Sequence, residues 1–369
     1  MTLDLRRTSC LVLVCGLGCG QPGAGDSLTA ATTANSTSTT DASTAAPTGT
    51  TTAEATTTAE PTTGELDPCV ASPQALADCS DPVAYAEDLK FIADIRTPGT
   101  PHWKAVQDLC AERLSELGYQ VQLMDYGSGV NVVGRRLGTV NPEQIVLVAA
   151  HYDHISNCRG ADDNASGVAA TLEIARLLAK VEFDRTVHIA CWDEEEDGLI
   201  GSEAYVAAAK TAGDEIVVDF NFDMIGYTST AENSQTVPTG FGLVFAEAYA
   251  ELEANQFRGD FIAIISSAKA NAHATAYAAA ADRIGLRRAL IELPAGQESS
   301  DLFADLRRSD HAPFWDAGYP AVFLTDTSEF RYANYHCMAG EDEVANLDLE
   351  FAAAVTRATV EASAVALGM

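Results

Sequence analysis

Continuous apolar runs alternate with stretches of helical spacing along most of this chain, and that alternation constrains its fold more than any other feature. Residues 144–150, 186–192, 216–222, 261–266 and 321–325 have the largely continuous apolar character of strands buried on both faces. Helical spacing marks 82–95 and 103–117, the second stopped by Gly118, and recurs near 166–180, 202–211, 270–284 and 347–367. The pattern predicts one α/β domain, a three-layer αβα sandwich around a mostly parallel, mixed central sheet. There is no internal repeat.

The chain has 369 residues, 47% of them hydrophobic, enough to bury one large core. Its 22 basic and 53 acidic residues give a formal charge of −31. The first 65 residues hold Arg6 and Arg7 against only a handful of acids, so the acidity belongs to the part expected to fold. Such a surface repels phosphates and anionic membranes, which argues against nucleic acid as a partner.

Arg6 and Arg7 precede a short apolar stretch, Cys10 to Gly18, with the layout of an export signal and too short to span a bilayer stably. Residues 1–18 are therefore expected to direct export from a bacterial cell. Gly16-Leu17-Gly18-Cys19 resembles a lipoprotein box, which makes Cys19 the expected first mature residue and lipid-attachment point. Gly16 departs from the usual Leu, and plain secretion is the alternative. Residues 19–65 are rich in Thr, Ala and Ser without hydrophobic periodicity and are expected to form a disordered linker, with a reach of roughly 30–40 Å. Residues 66–369 are left as the folded domain.

Nine cysteines are present. With Cys10, Cys15 and Cys19 assigned to the leader and its junction, the rest form an even set, which suits disulfides in an exported protein. Cys69 and Cys79 are expected partners by proximity, and Cys158 with Cys337 would tie two loops together. Cys191, inside an apolar run, reads as a buried strand thiol.

Five acidic and histidine motifs are present, four of them after an apolar run: His151-Tyr-Asp153, Gly160-Ala-Asp-Asp163-Asn-Ala-Ser-Gly167, Glu195-Glu196, Asn221-Phe-Asp223 and Ser309-Asp-His311. Each alone reads as a cap, a turn or a solvated loop. Beyond the carboxyl ends of strands in one open sheet, they can converge on a single crevice. His151 can offer an imidazole nitrogen to zinc, with Asp153 holding its other nitrogen. Asp163 can bridge two ions through its two oxygens. Of the adjacent pair Glu195 and Glu196, one can ligate while the other takes a proton from water. Asp223 and His311 complete a mixed nitrogen and oxygen set suited to zinc, with manganese or cobalt also compatible.

These five segments, in this order over residues 150–314, resemble those of the secreted two-zinc aminopeptidase family of metallopeptidases, which includes bacterial leucyl aminopeptidases. The resemblance implies the zinc-peptidase, phosphorylase/hydrolase-like fold and two zinc ions per chain. It implies His151 and Asp223 on one ion, Glu196 and His311 on the other, Asp163 bridging, Glu195 as general base and Asp153 orienting His151. Asp162 stands where the family often has Asn, and the double-Glu motif is entered through Trp192-Asp193-Glu194 rather than small residues. Gly198 and Gly201-Ser202 set its register. Tyr335 and His336 lie in a later segment also similar to family members and receive no metal role in this reading. The implied substrates are peptides with a free N-terminus. Related carboxypeptidases or aminoacylases, a glutaminyl cyclase and a non-catalytic surface receptor of the same fold are the alternatives. The residues do not distinguish an N-terminal preference or an oligomeric state.

Overall fold

The computed structural model describes residues 67–369. The expected leader, Cys19 and the linker lie outside them. The elements in chain order are α1 (Pro73–Asp78), α2 (Pro82–Ile92), α3 (Pro101–Glu116), β1 (Gln120–Asp125), β2 (Val130–Arg136), β3 (Asn141–His151), α4 (Gly167–Leu178), β4 (Arg185–Trp192) and α5 (Ile200–Ala212). There follow β5 (Glu215–Phe222), α6 (Phe241–Val244), α7 (Ala246–Ala254), β6 (Ile262–Ser266), α8 (Asn271–Ile284), β7 (Arg288–Glu292), α9 (His311–Asp316), β8 (Ala321–Thr325) and α10 (Leu349–Leu367), with short 3-10 turns between elements and a π-helical turn, Ala161–Ser166, before α4.

One eight-stranded sheet runs β1-β2-β4-β3-β5-β8-β6-β7. Its centre is parallel, from β4 through β3 and β5 to β8, while β1, β2 and the β6/β8 pair run antiparallel. Because successive side chains on a strand point to opposite faces, β3 divides itself between two cores. Val146, Val148 and Ala150 join the cluster under α4, α8 and α10, and Leu147 and Ala149 join the one containing Tyr205, Phe314 and Leu252. This is the three-layer sandwich expected from the alternation.

Helix ends follow local chemistry. Asp81, Thr100 and Asp348 each cap the first turn of α2, α3 and α10 with a side-chain oxygen, and Pro82 and Pro101 occupy the first helical position. Helix α5 closes on Gly213 with φ of +75°. Cys69 pairs with Cys79 and Cys158 with Cys337, while Cys110 and Cys191 are buried free thiols.

Candidate metal centre

Three parallel strands deliver the site. His151 is the last residue of β3, paired in register with Trp192 at the end of β4. Asp223 follows β5, its N–H donated to Leu324 O at 3.2 Å. Glu195 and Glu196 sit three and four residues beyond β4. All therefore gather at the carboxyl edge of the sheet, where parallel strands leave a crevice.

Asp163 arrives on the loop between β3 and α4, and that loop is fixed by buried groups. The Arg96 guanidinium, itself fully buried, donates to Gly160 O at 2.7 Å and Asp163 O at 2.8 Å. Asn164 donates to Phe222 O at 2.8 Å and accepts the N–H of Met224 at 3.3 Å, lashing the loop to the end of β5. Asp342 receives the N–H groups of Asp162 and Asp163 at 3.1 Å. Asp162 turns its own carboxylate to the N–H of Gly226 at 2.7 Å, so it braces the frame around the crevice.

The double-Glu loop is pinned at its entry. Asp193 accepts from Trp103 Nε1 at 2.7 Å and from Val130 N at 2.9 Å, and its own N–H goes to Asn131 Oδ1. Glu194 is taken up by Ser128, which donates to it at 2.6 Å. Glu195 and Glu196 are left to face the crevice. Asp153 holds them by accepting both their N–H groups, and it stands 3.6 Å from His151 Nδ1, too far for a hydrogen bond. Its expected grip on the His151 ring is thus loose, and its firm grip is on the glutamates.

Two groups of donors meet at Asp163. His151 Nε2 lies 3.4 Å from Asp163 Oδ1 and 3.6 Å from Asp223 Oδ1. On the other side, His336 Nε2 lies 3.2 Å from Asp163 Oδ2 and 3.2 Å from Glu196 Oε2. Donors at about 2.0–2.1 Å from a tetrahedral zinc stand roughly 3.3 Å apart, so both groups have the spacing of ligand sets. His151 Nε2 is buried without any hydrogen-bond partner, as a nitrogen reserved for a cation would be. His151, Asp163 and Asp223, and separately His154, Asp163 and Glu196, are close enough to hold an ion. Candidate metal donors therefore lie on both sides of Asp163.

Electrostatics follow the same layout. Burial pushes the Asp163 carboxyl up, but His154, His151 and His336 around it outweigh burial and hold it well below the ordinary range. Burial opposes a charge on His336, yet Asp163 and Glu196 raise it to about 10. Glu195 is held well above the usual carboxylate range, by burial first, with Asp223, Asp310 and Glu196 adding to it and His151 opposing. It stands 4.0 Å from His151 Nε2 and belongs to neither ligand group.

The expected ligand His311 is elsewhere. It is buried at the start of α9, with Nε2 2.9 Å from Leu306 O and its ring stacked on Phe323 at 4.1 Å. Burial holds its pKa down to about 3, and it supports a wall of the neighbouring pocket. The segment around it serves the site indirectly, since Ser309 Oγ accepts from Asn221 Nδ2 at 3.1 Å. The histidine that meets Glu196 is His336, whose neighbour Cys337 is bonded to Cys158 on the loop that leads to Asp163. His336 follows Tyr335 in the sequence, and no apolar run precedes it to mark a strand end.

An apolar pocket opens at Asp223. Val237, Pro238, Phe241, Phe261, Ala263, Ile265, Ala289, Ile291, Leu306 and Phe323 line it, with Arg308, Glu329 and Tyr335 also on its wall. Arg308 is engaged, its guanidinium bonded to Glu329 and to the Tyr335 hydroxyl at 3.0 Å.

A three-layer α/β sandwich with a histidine and carboxylate centre at its sheet edge is the architecture of the zinc-peptidase class. The chain belongs to Peptidase family M28, whose model matches residues 131–363. A probable zinc metalloprotease of Leptosphaeria maculans is 31% identical over 211 residues, 54% of this chain and 47% of that one. An aminopeptidase of Pseudomonas aeruginosa is 46% identical over 87 residues, 23% of this chain and 16% of its own. The chain spans about half the length of the first of these relatives and a smaller part of the second. The solved LapA aminopeptidase of Legionella pneumophila superimposes with a TM-score of 0.60 at 16% identity, over 80% of this chain and 74% of that one, a likeness of fold.

Proposed function

We propose that this chain is a zinc-dependent aminopeptidase that removes the first residue from peptides with a free N-terminus. The observation that carries it is the division of the carboxylates: Asp163 faces both histidine groups, while Glu195 stands beside them and joins neither. His151, Asp163 and Asp223 would hold one zinc, and Asp163, Glu196 and His336 the other. When bound, such ions supply Lewis acidity toward a carbonyl and bring water near neutrality as a nucleophile.

The chain's own residues do the rest. Glu195, with its carboxyl shielded from solvent, accepts a proton from the attacking water as oxygen bonds to the carbonyl carbon. It returns that proton to the departing amine as the carbon–nitrogen bond breaks. Asp153 keeps Glu195 and Glu196 at fixed heights through their backbone N–H groups. The apolar pocket beside Asp223 suits the side chain of the first residue, and the acidic rim of the crevice suits a cationic terminal amine.

Hydrolysis of aminoacyl chromogenic amides, free and N-blocked, tests the reading before and after chelation and zinc restoration. Activity confined to free N-termini, lost on chelation and regained with zinc, is expected. Glu195→Gln is expected to lower kcat by about 10²–10⁴-fold with zinc retained. Activity on blocked substrates alone points instead to a carboxypeptidase or acylase, and silence of the zinc-loaded protein to a cyclase or a receptor.

We also propose that the chain is exported and anchored through Cys19. The leader-like residues 1–18 and the two disulfides, which persist in oxidising compartments, support this. Labelling with a radioactive fatty acid, lost in Cys19→Ala, is the expected result.

A further inference from the structure

His154 stands on the Asp163 and Glu196 side of the centre. It lies one residue beyond Asp153 and is fully buried, yet neither ring nitrogen has a hydrogen-bond partner. Its Nδ1 stands 2.8 Å from Glu196 Oε1 and 3.9 Å from Asp163 Oδ1. Glu196 Oε1 is likewise buried and unpartnered, so the close approach of these two atoms is not an aligned hydrogen bond. Leaving two such polar atoms face to face and unsatisfied is unfavourable, and a shared cation removes that cost.

The surroundings are shaped to admit this ring. Gly160 adopts φ of +56°, and a Cβ there would fall 2.5 Å from His154 Cδ2. The His154 ring meets His336 edge-on with centroids 5.8 Å apart, so the two imidazoles approach the Asp163 and Glu196 carboxylates from different sides.

Resting on the two-metal reading above, we infer that His154 is a fourth protein donor to the ion held by Asp163, Glu196 and His336. That ion then has a closed set of four side chains, whereas the His151, Asp163 and Asp223 group has three and keeps an open position. Four-donor sites are the closed kind and three-donor sites the open kind. The two ions are therefore unequal: the His154 side binds firmly, and the His151 side exchanges and meets substrate.

Competition dialysis against a graded chelator, with bound zinc counted directly, tests this on the full chain. The wild type is expected to hold two equivalents and to release one well before the other. His154→Ala and His154→Gln are expected to weaken the firmly held ion by at least about 10-fold, and imidazole added to His154→Ala is expected to restore it. Asp223→Asn is expected to lose the easily released ion instead. With cobalt in place of zinc, the visible absorption of the firm site changes in both His154 variants. Equal unfolding midpoints of the metal-free proteins separate ligand loss from misfolding. Two ions held at wild-type affinity in both variants, with superimposable cobalt spectra, would overturn the inference while leaving the aminopeptidase reading intact. A wild type that binds no zinc overturns both.

Discussion

The carboxylate of Asp153 receives the backbone N–H of Glu195 at 3.1 Å through one oxygen and that of Glu196 at 3.2 Å through the other. A buried acid two residues beyond β3 thus sets the position of both glutamates after β4. Asp153→Asn keeps the shape but replaces one acceptor oxygen by an amide that cannot accept. Glu195 then shifts relative to the histidine and carboxylate donors, and kcat is expected to fall by about 10–100-fold with KM changed little. Steady-state kinetics on the preferred amide, alongside zinc content, check this. An unchanged kcat would mean that the turn holds the glutamates without Asp153.

His336 and His311 offer a direct contrast. His336→Ala is expected to lose one zinc at chelator levels the wild type tolerates and to lose most activity, because its nitrogen faces both Asp163 and Glu196 at 3.2 Å. His311→Ala removes a ring packed between Phe323 and Trp315 and is expected to cost about 2–4 kcal/mol of stability, as other large-to-small core changes do, while both ions stay bound. Urea unfolding and metal counting on the two variants separate the roles. Equal zinc loss from both would return His311 to the ligand set.

His188 carries the clearest dependence on pH away from the metal centre. It sits on β4 opposite Arg135 on β2, with Nδ1 2.8 Å from the Tyr205 hydroxyl. Burial, with Arg135 adding to it, holds its pKa down to about 3 from 6.5. The unfolded chain takes up this proton near pH 6.5 and the folded chain does not. The stability contributed by neutral His188 is complete above that pH and is lost as pH falls from there toward 3. The slope is roughly 1.4 kcal/mol per pH unit. Urea unfolding of the wild type and His188→Gln at several pH values should show their difference moving in favour of the variant by that amount per unit. A difference that stays constant with pH would show that folded His188 protonates freely.

The parts of the molecule legible in the sequence were those whose physics is local. Strands β3, β4, β5 and β8 are buried on both faces over most of their length, so their runs are largely apolar, and 321–325 falls on β8 residue for residue. Strand β1 was not legible because it is an edge strand, with Gln120, Gln122 and Leu123 exposed and no apolar run to mark it. Strand β7 is short and alternates in burial, which a five-residue window barely distinguishes from a loop. At the site, His151, Glu195, Glu196 and Asp223 stand on or just after strands and Asp163 in a glycine-flanked turn before α4, all positions that the sequence marks. His336 and Cys337 lie in left-handed backbone on a loop far along the chain, at φ of +52° and +55°. Only the tertiary fold and the Cys158 bridge bring that loop to Glu196, so His311, which follows a motif of familiar shape, stood in for it.

The pocket beside Asp223 sets the last expectation. Ala289 on β7 and Ala263 on β6 leave room between Ile265, Ile291 and Phe323, and a larger side chain at 289 fills that room from the wall. If the pocket receives the first side chain of the substrate, Ala289→Leu shortens it without touching the metal donors. The ratio of kcat/KM for a leucyl amide over an alanyl amide is then expected to fall by about 10-fold or more, since a few methylenes in an apolar pocket carry that much discrimination. Crowding the core can itself cost about 1–3 kcal/mol, so the comparison is made as a ratio within one protein rather than between proteins. A ratio unchanged in a folded, zinc-loaded variant would place the substrate side chain outside this pocket.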